Sequence, residues 1–178
     1  LPLGKLGWGW GHGAWDCKFT LEETRTMISL WSIFRSPLMI GTDLPQINSD
    51  NLNLITNDEI LAMEKNGKQA ELVSRDENEI VWKAECKDGG YYVAMFNISE
   101  DEREICTAVK DIFGCEKCIA KSVRDLWNHC DCTDKSLKYA VSTVWTTNST
   151  KSCKIEQNVQ TICTTKIPGH SCVVYLVK

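Results

Sequence analysis

No stretch of the 178-residue sequence stays apolar for the roughly 18 residues that a membrane-spanning helix needs, so no helical span is expected. Clustered basic residues are scarce too. Lys and Arg number 20 against 24 Asp and Glu, and a net charge of -4 argues against a nucleic-acid binder, which needs Lys and Arg gathered along a phosphate track. The one dense charge run, "SEDERE" at 99–104, is acidic and reads as a solvated turn. A phosphate-cradling glycine loop, a metalloprotease helix motif and a serine-histidine constellation are all missing. Nothing therefore calls for a metal or a cofactor. The start, "LPLGKLG", has neither an initiator Met nor the apolar core of a signal peptide, which leads us to expect a fragment or a processed product.

Cysteine, by contrast, is plentiful, with ten residues. Together with the sequons Asn97-Ile98-Ser99 and Asn148-Ser149-Thr150, an even count fits an oxidising compartment, with glycosylation at the sequons. A secreted or lumenal location is the expectation, with the cytoplasm as the alternative. Cys115-x-x-Cys118 and Cys130-x-Cys132 also suit a four-thiolate zinc site. Against zinc, a strand over 119–127 would hold the two pairs about 30 Å apart. Cys153 and Cys163 suit a bridge closing the polar hairpin between them.

The hydrophobic period changes near residue 67. Residues 20–36 read as a helix: Thr20 and Glu23 make a capping box, and Pro37 stops it. Glu22, Arg25, Thr26, Ser29 and Ser36 share a polar stripe, while Leu21, Ile28, Leu30, Trp31 and Phe34 make a wide apolar arc. "LMIG" follows as a short strand of the type buried in a parallel sheet. A short helix in "NSDNLNLITN" and a second, "DEILAMEKN", capped by Asn57 and ended by Gly67, complete this part. Helix, buried strand and helix make the vocabulary of an α/β barrel, which one such unit cannot close.

Beyond residue 67, Ile80, Trp82, Ala84 and Cys86 alternate with Glu79, Val81, Lys83 and Glu85. "KDGG" is a hairpin turn leading into "YYVAMFNIS", apolar enough for a central strand. Further strands are expected at 103–109, 119–127, 137–145, 155–165 and 171–177 with no helix between them, which suggests an antiparallel sandwich of about 110 residues. The predicted fold is thus mixed α/β plus all-β: 1–66 as the last helices and strand of a (β/α)8 TIM barrel, and 67–178 as an antiparallel β-sandwich. Trp31, Trp82, Trp127 and Trp145 fall on apolar faces and read as core. Exposed apolar surface is expected along "LMI" and around Trp31, where the rest of a barrel belongs.

"FTLEETRTMISLWSIFRSPLMIGTDLP", followed by "LITNDEILAMEKNG", "SVRDLWNH" and "IPGHSCVVYLVK", resembles the C-terminal portion of the α-galactosidase (melibiase) family, glycoside hydrolase family 27. The resemblance covers nearly the whole chain. It implies a parent enzyme that removes terminal α-linked galactose with retention, and a galactoside or related oligosaccharide as its partner. Retaining glycosidases need two carboxyl groups about 5 to 5.5 Å apart. In the family both stand on earlier barrel strands, so the resemblance implies no catalytic residue here and no activity without the N-terminal barrel portion.

The same resemblance puts residues 4–18, with "GWGWGHGAW" at their centre, in the loop after the seventh barrel strand, on the active-site face. Sugars pack C–H faces on aromatic rings, so Trp8, Trp10, Trp15 and His12 are candidate substrate contacts, with Asp16 a looser one. Alternatively, the rings pack the loop onto the helix beginning at Thr20. Asp43 invites a catalytic reading, although an Asp there more simply fixes its turn by accepting backbone amides. Asp125 reads as a partner for Arg124 or for a neighbouring strand and nothing more, isolated acids being usually solvated, and His129 and His170 read as turn residues. A β-L-arabinopyranosidase relative and a non-catalytic carbohydrate-binding or structural module stand as alternatives, and a homo-oligomer is compatible with either.

Overall fold

The computed structural model describes residues 1–7, 13–132 and 160–178. The expectations for strand 137–145, Trp145, Asn148 and Cys153 lie outside these residues. The elements run in the order β1 (Lys5–Leu6), β2 (Trp15–Asp16), α1 (Leu21–Ile33), α2 (Ser49–Ile55), α3 (Asp58–Asn66), β3 (Gly67–Arg75), β4 (Glu79–Cys86), β5 (Tyr91–Asn97), β6 (Cys106–Ala108), α4 (Val109–Phe113), β7 (Val123–Asp125), β8 (Cys130–Cys132), β9 (Thr161–Cys163) and β10 (Cys172–Val177). Six strands form one antiparallel sheet in the order β3-β4-β5-β10-β7-β8, and β6 and β9 pair separately. Among the described residues no helix is long and apolar enough to cross a membrane.

The sheet is covered on both sides. In β10, Val173, Tyr175 and Val177 join Val93 and Met95 of β5 against Ile105, Val109, Ile112 and Ile162 from the β6, α4 and β9 layer. The intervening Cys172 and Val174 join Tyr92, Ala94 and Phe96 against Ile28, Ile33, Leu54, Ile60 and Met63 from the three preceding helices. This two-sided burial is why β5 and β10 read as near-continuous apolar runs. Lys83 reaches from β4 to the carbonyls of Asp111 and Ile112, at 3.2 and 2.8 Å, and so caps α4 from below.

Local punctuation follows the sequence closely. Thr20 Oγ1 accepts from the Glu23 amide at 3.2 Å and Glu23 accepts from the Thr20 amide at 2.7 Å, closing the capping box on α1. The side chains of Asn48 and Asn57 cap α2 and α3. Gly67 ends α3, but with an ordinary φ of -71°; glycine is needed because a Cβ would sit 2.8 Å from the Met63 carbonyl. α1 stops at Ile33, before Pro37, because Arg35 turns left-handed (φ 55°) and Ser36 donates back to the Trp31 carbonyl at 2.9 Å.

Several expectations are corrected. The polar stripe of α1 faces inward. Ser29 is fully buried, accepting from Trp127 Nε1 at 2.9 Å and from the Cys172 thiol at 3.2 Å, and the buried Arg25 lies over the Trp127 ring, 5.5 Å from its centre. The direction of the stripe could not be read locally, because its partners lie about a hundred or more residues away in the chain. Trp31, expected in the core, is 41% exposed; among the described tryptophans only Trp127 is in the core, while Trp82 is half-buried with the Phe34 ring 4.8 Å away, edge-on. "LMIG" has no assigned strand. It keeps one parallel step, in which Leu1 N donates to the Met39 carbonyl and Gly41 N to the Leu1 carbonyl at 3.0 Å. With no further strand beside it, Met39 is 77% exposed, and apolar surface lies bare there and around Trp31 as expected.

The strand list needs correction as well. β3 adds a strand at 67–75 whose mostly exposed residues gave no apolar signal. A helix, α4, interrupts the strands, and those expected at 103–109, 119–127 and 155–165 shorten to β6, β7 and β9. Cys163 bonds to Cys106, its cross-strand neighbour, and not to Cys153. Cys115 and Cys118 are free thiols, and Cys115, Cys118, Cys130 and Cys132 do not gather into a set of metal ligands among the described residues. Asp125 is fully buried rather than solvated. It accepts from the amides of Trp127 and Asn128 and from Asn128 Nδ2, and its burial pushes its pKa up.

Arg124 instead binds Glu59 at the start of α3, with Nε to Oε2 at 2.9 Å, and Asp131 on β8. Asn57 Nδ2 can only donate, so His129 Nε2, 3.2 Å away, accepts and His129 Nδ1 donates to Glu59 at 3.0 Å. A charged and hydrogen-bonded clasp thus joins α3 to the β7–β8 turn.

The sequon at Asn97 is also corrected. Asn97 is buried, and its amide nitrogen points at the carbonyls of Asp101, Ile167 and Pro168 at 2.8, 3.1 and 2.9 Å. Its oxygen accepts from the amide and hydroxyl of Ser99. Folded Asn97 therefore has no free nitrogen for a glycan. Asn97→Asp, nearly isosteric but without donors, is expected to lower the unfolding free energy by about 3 kcal/mol in denaturant titration.

The capping box gives a pH signature. Hydrogen bonds from the Thr20 amide and then the Thr20 side chain hold the Glu23 pKa below its usual value. A depressed carboxyl contributes stability above its unfolded pKa and loses it as pH falls through the folded one. The stability advantage of the protein over Glu23→Gln should therefore be present near neutral pH and shrink as the pH falls below the ordinary glutamate range, followed by denaturation at stepped pH.

Candidate functional site

The segment read as a plain loop is built on a ribbon. β1 and β2 pair antiparallel with Lys5 opposite Asp16 and Leu6 opposite Trp15. Lys5 Nζ donates to both oxygens of Asp16, at 3.1 and 3.3 Å. Asp16 is well exposed, so this pair adds little stability; it serves to position the carboxylate. Trp15 folds its ring over Gly7. A Cβ on Gly7 would fall 1.7 Å from the ring carbon Cζ3, and the Gly7 φ of +87° also favours glycine. Trp15 nonetheless stays 51% exposed.

The stretch after "LMIG" holds the ribbon from one side. Asp43 N and Thr42 Oγ1 both donate to the Lys5 carbonyl, at 2.9 and 3.0 Å. On the other side Cys17 N donates to the Gly4 carbonyl at 2.7 Å, and its thiol to the Pro2 carbonyl at 3.3 Å. Between ribbon and support lies a cavity of about 310 Å³ lined by Lys5, Leu6, Gly7, Ala14, Thr42 and Asp43.

Asp43 departs from its expected role. Its carboxylate accepts from the Gln46 side chain and from no backbone amide; the turn is closed by the main chain, Gln46 N donating to the Asp43 carbonyl at 3.0 Å. Each described carboxylate at the cavity's edge is thus matched with a partner, Asp16 with Lys5 and Asp43 with Gln46. The arrangement offers an open aromatic face and polar rim groups. Of the five sequence candidates, Trp15 and Asp16 stand side by side on β2, and Trp8, Trp10 and His12 lie outside the described residues. Lys5, Gly7 and Thr42 were missed. The ribbon register connects Lys5, the Trp15 ring connects Gly7, and the hydrogen bond to the Lys5 carbonyl connects Thr42, none of which a local period in the sequence reveals.

A barrel-type helix and parallel step docked on an antiparallel sandwich define the class, and comparison with known proteins identifies the family. Residues 76–177 match the alpha galactosidase C-terminal beta sandwich domain. The chain belongs to this family. It is 31% identical over 122 residues to alpha-galactosidase 3 of Arabidopsis thaliana, covering 66% of the chain and 28% of that protein. It is 28% identical over 151 residues to the probable alpha-galactosidase A of Aspergillus flavus, covering 84% of the chain and 27% of the relative.

Among solved structures, a GH27 β-L-arabinopyranosidase from Geobacillus stearothermophilus matches the whole chain with a TM-score of 0.77 and 31% identity, over 35% of its own length. Alpha-galactosidase I from Mortierella vinacea, 17% identical, shares the fold over 89% of the chain and 36% of its own, with a TM-score of 0.69. The chain therefore spans only about a quarter to a third of the length of these four proteins. Its fold is the C-terminal part of a (β/α)8 barrel followed by an antiparallel β-sandwich.

Two glycines separate the roles of space and backbone in this ribbon. Gly7→Ala should cost about 2 kcal/mol, because the left-handed φ and the Trp15 ring both oppose a methyl group. Gly13→Ala, whose added Cβ meets nothing within 4 Å, should leave the denaturation midpoint nearly unchanged.

Proposed function

We propose that this chain is the C-terminal share of a retaining glycoside hydrolase that removes terminal α-linked galactose, with both catalytic carboxylates on polypeptide outside it. Residues 1–66 close the barrel and 67–178 form the sandwich that buttresses it. The observation that carries this reading is the 31% identity over 122 residues to alpha-galactosidase 3 of Arabidopsis thaliana. The bare apolar surface supports it physically. Phe19, Met27, Leu30, Trp31 and Ile98 line an open groove of about 460 Å³ on the side where earlier barrel elements would pack.

In this reading Trp8, Trp10, His12, Trp15 and Asp16 border the sugar subsites on the strand-end face of the barrel. Trp15 has the geometry for it, one ring face resting on Gly7 and the other open to a sugar's C–H surface. The Cys106–Cys163 disulfide supports a secreted or lumenal location.

A β-L-arabinopyranosidase is the second reading, favoured by the whole-chain match to the Geobacillus stearothermophilus enzyme of that activity at 31% identity. The two sugars differ by the galactose hydroxymethyl group, so one assay separates them. The chain joined to its barrel portion should hydrolyse p-nitrophenyl α-D-galactopyranoside with the higher kcat/KM; preference for the β-L-arabinopyranoside selects the second reading, and hydrolysis of neither refutes both. In the active enzyme, Trp10→Ala and Trp15→Ala should raise KM about tenfold with Tm unchanged. A lowered Tm with unchanged KM would instead assign the rings to packing.

A further inference from the structure

Two thiols in the turn after α4 take no part in the site or the core. Gly114 ends the helix with a left-handed φ of 66°, and Cys115 N donates back to the Lys110 carbonyl at 3.1 Å, which fixes where the turn begins. Cys118 N then donates to the Cys115 carbonyl at 3.1 Å, closing a four-residue turn. Such turns bring their end Cα atoms within about 7 Å, and disulfides span up to about 6.8 Å. Both thiols are free; Cys115 is exposed and Cys118 half-buried, so small solutes reach them.

The two sulfurs differ. The neighbouring Cys118 thiol, then the amides of Lys117 and Cys118, favour the Cys115 thiolate and hold its pKa below the usual value. The same contact holds Cys118 above its own usual value. A thiolate stabilised this way is the attacking partner in thiol–disulfide exchange.

We propose that Cys115-Glu116-Lys117-Cys118 is a solvent-facing dithiol that exchanges with small-molecule disulfides to close a disulfide within the turn, with Cys115 as the attacking sulfur. With glutathione disulfide as oxidant, the Cys115 thiolate attacks one sulfur, forming a mixed disulfide and releasing one glutathione thiolate. Cys118 then gives its proton to solvent and attacks the Cys115 sulfur, expelling the second glutathione. The protein dithiol loses two electrons and glutathione disulfide gains them. The site is separate from the Cys106–Cys163 bond, which joins two strands.

The test uses the full chain, equilibrated with glutathione disulfide, alkylated and digested with trypsin without reduction. Cleavage after Lys110, Lys117 and Lys121 separates the thiols into peptides 111–117 and 118–121. A mass for the two joined, or for uncut 111–121 lacking two hydrogens, is the expected result. Both peptides alkylated, or 118–121 joined to any other peptide, overturns the proposal. Cys118→Ser should trap glutathione on Cys115 about tenfold faster than Cys115→Ser traps it on Cys118, each with unchanged Tm. Equal rates overturn the assignment of the attacking sulfur.

Discussion

Two neighbouring strands with no solvent face, β5 and β10, set the terms for everything else. Each sends alternate side chains to opposite sides, so each side requires its own cover. On one side the cover is local in kind, α4 and the disulfide-bonded β6–β9 pair. On the other it comes from the three helices that precede the sheet in the chain. Those helices cannot be removed without uncovering Tyr92, Ala94, Phe96 and Val174, so the barrel-type part and the sandwich share one core.

The junction between them carries polar groups in a buried setting. Ser29 meets Trp127 and Cys172, Arg25 lies on the Trp127 ring, and Arg124 and His129 converge on Glu59. Apolar contacts tolerate small rotations of a helix on a sheet, whereas these bonds have fixed directions. They select one docking angle. Through it the β1–β2 ribbon acquires a defined position relative to the sandwich, although no residue of the sheet enters the ribbon's cavity.

What could be read from sequence depended on how far apart the partners stood. The caps at Thr20 and Asn57, the "KDGG" hairpin and the central strand "YYVAMFN" rest on contacts within a few residues or on periodicity, and they were legible. The inward stripe of α1, the buried acid Asp125 and the Cys106–Cys163 pair were not, because a polar residue or a cysteine does not announce a partner 57 or 98 positions away. β3 escaped notice for a different reason: an edge strand with exposed residues needs little apolar content. At the site, Trp15 and Asp16 stood out by residue type, while Lys5 and Gly7 became meaningful only through the ribbon.

In a compartment that glycosylates nascent chains, Asn97 would also matter during biosynthesis. Its acceptor triplet is complete as soon as Ser99 is made, yet its carbonyl partners at 167 and 168 emerge about 70 residues later. In a compartment that attaches sugars to nascent chains, the side chain is exposed throughout that interval. A chain glycosylated then can no longer bury the amide between β5 and β10's leading turn, so the oligosaccharide would mark it as unable to finish folding. Synthesis there becomes a contest between transferase and strand pairing.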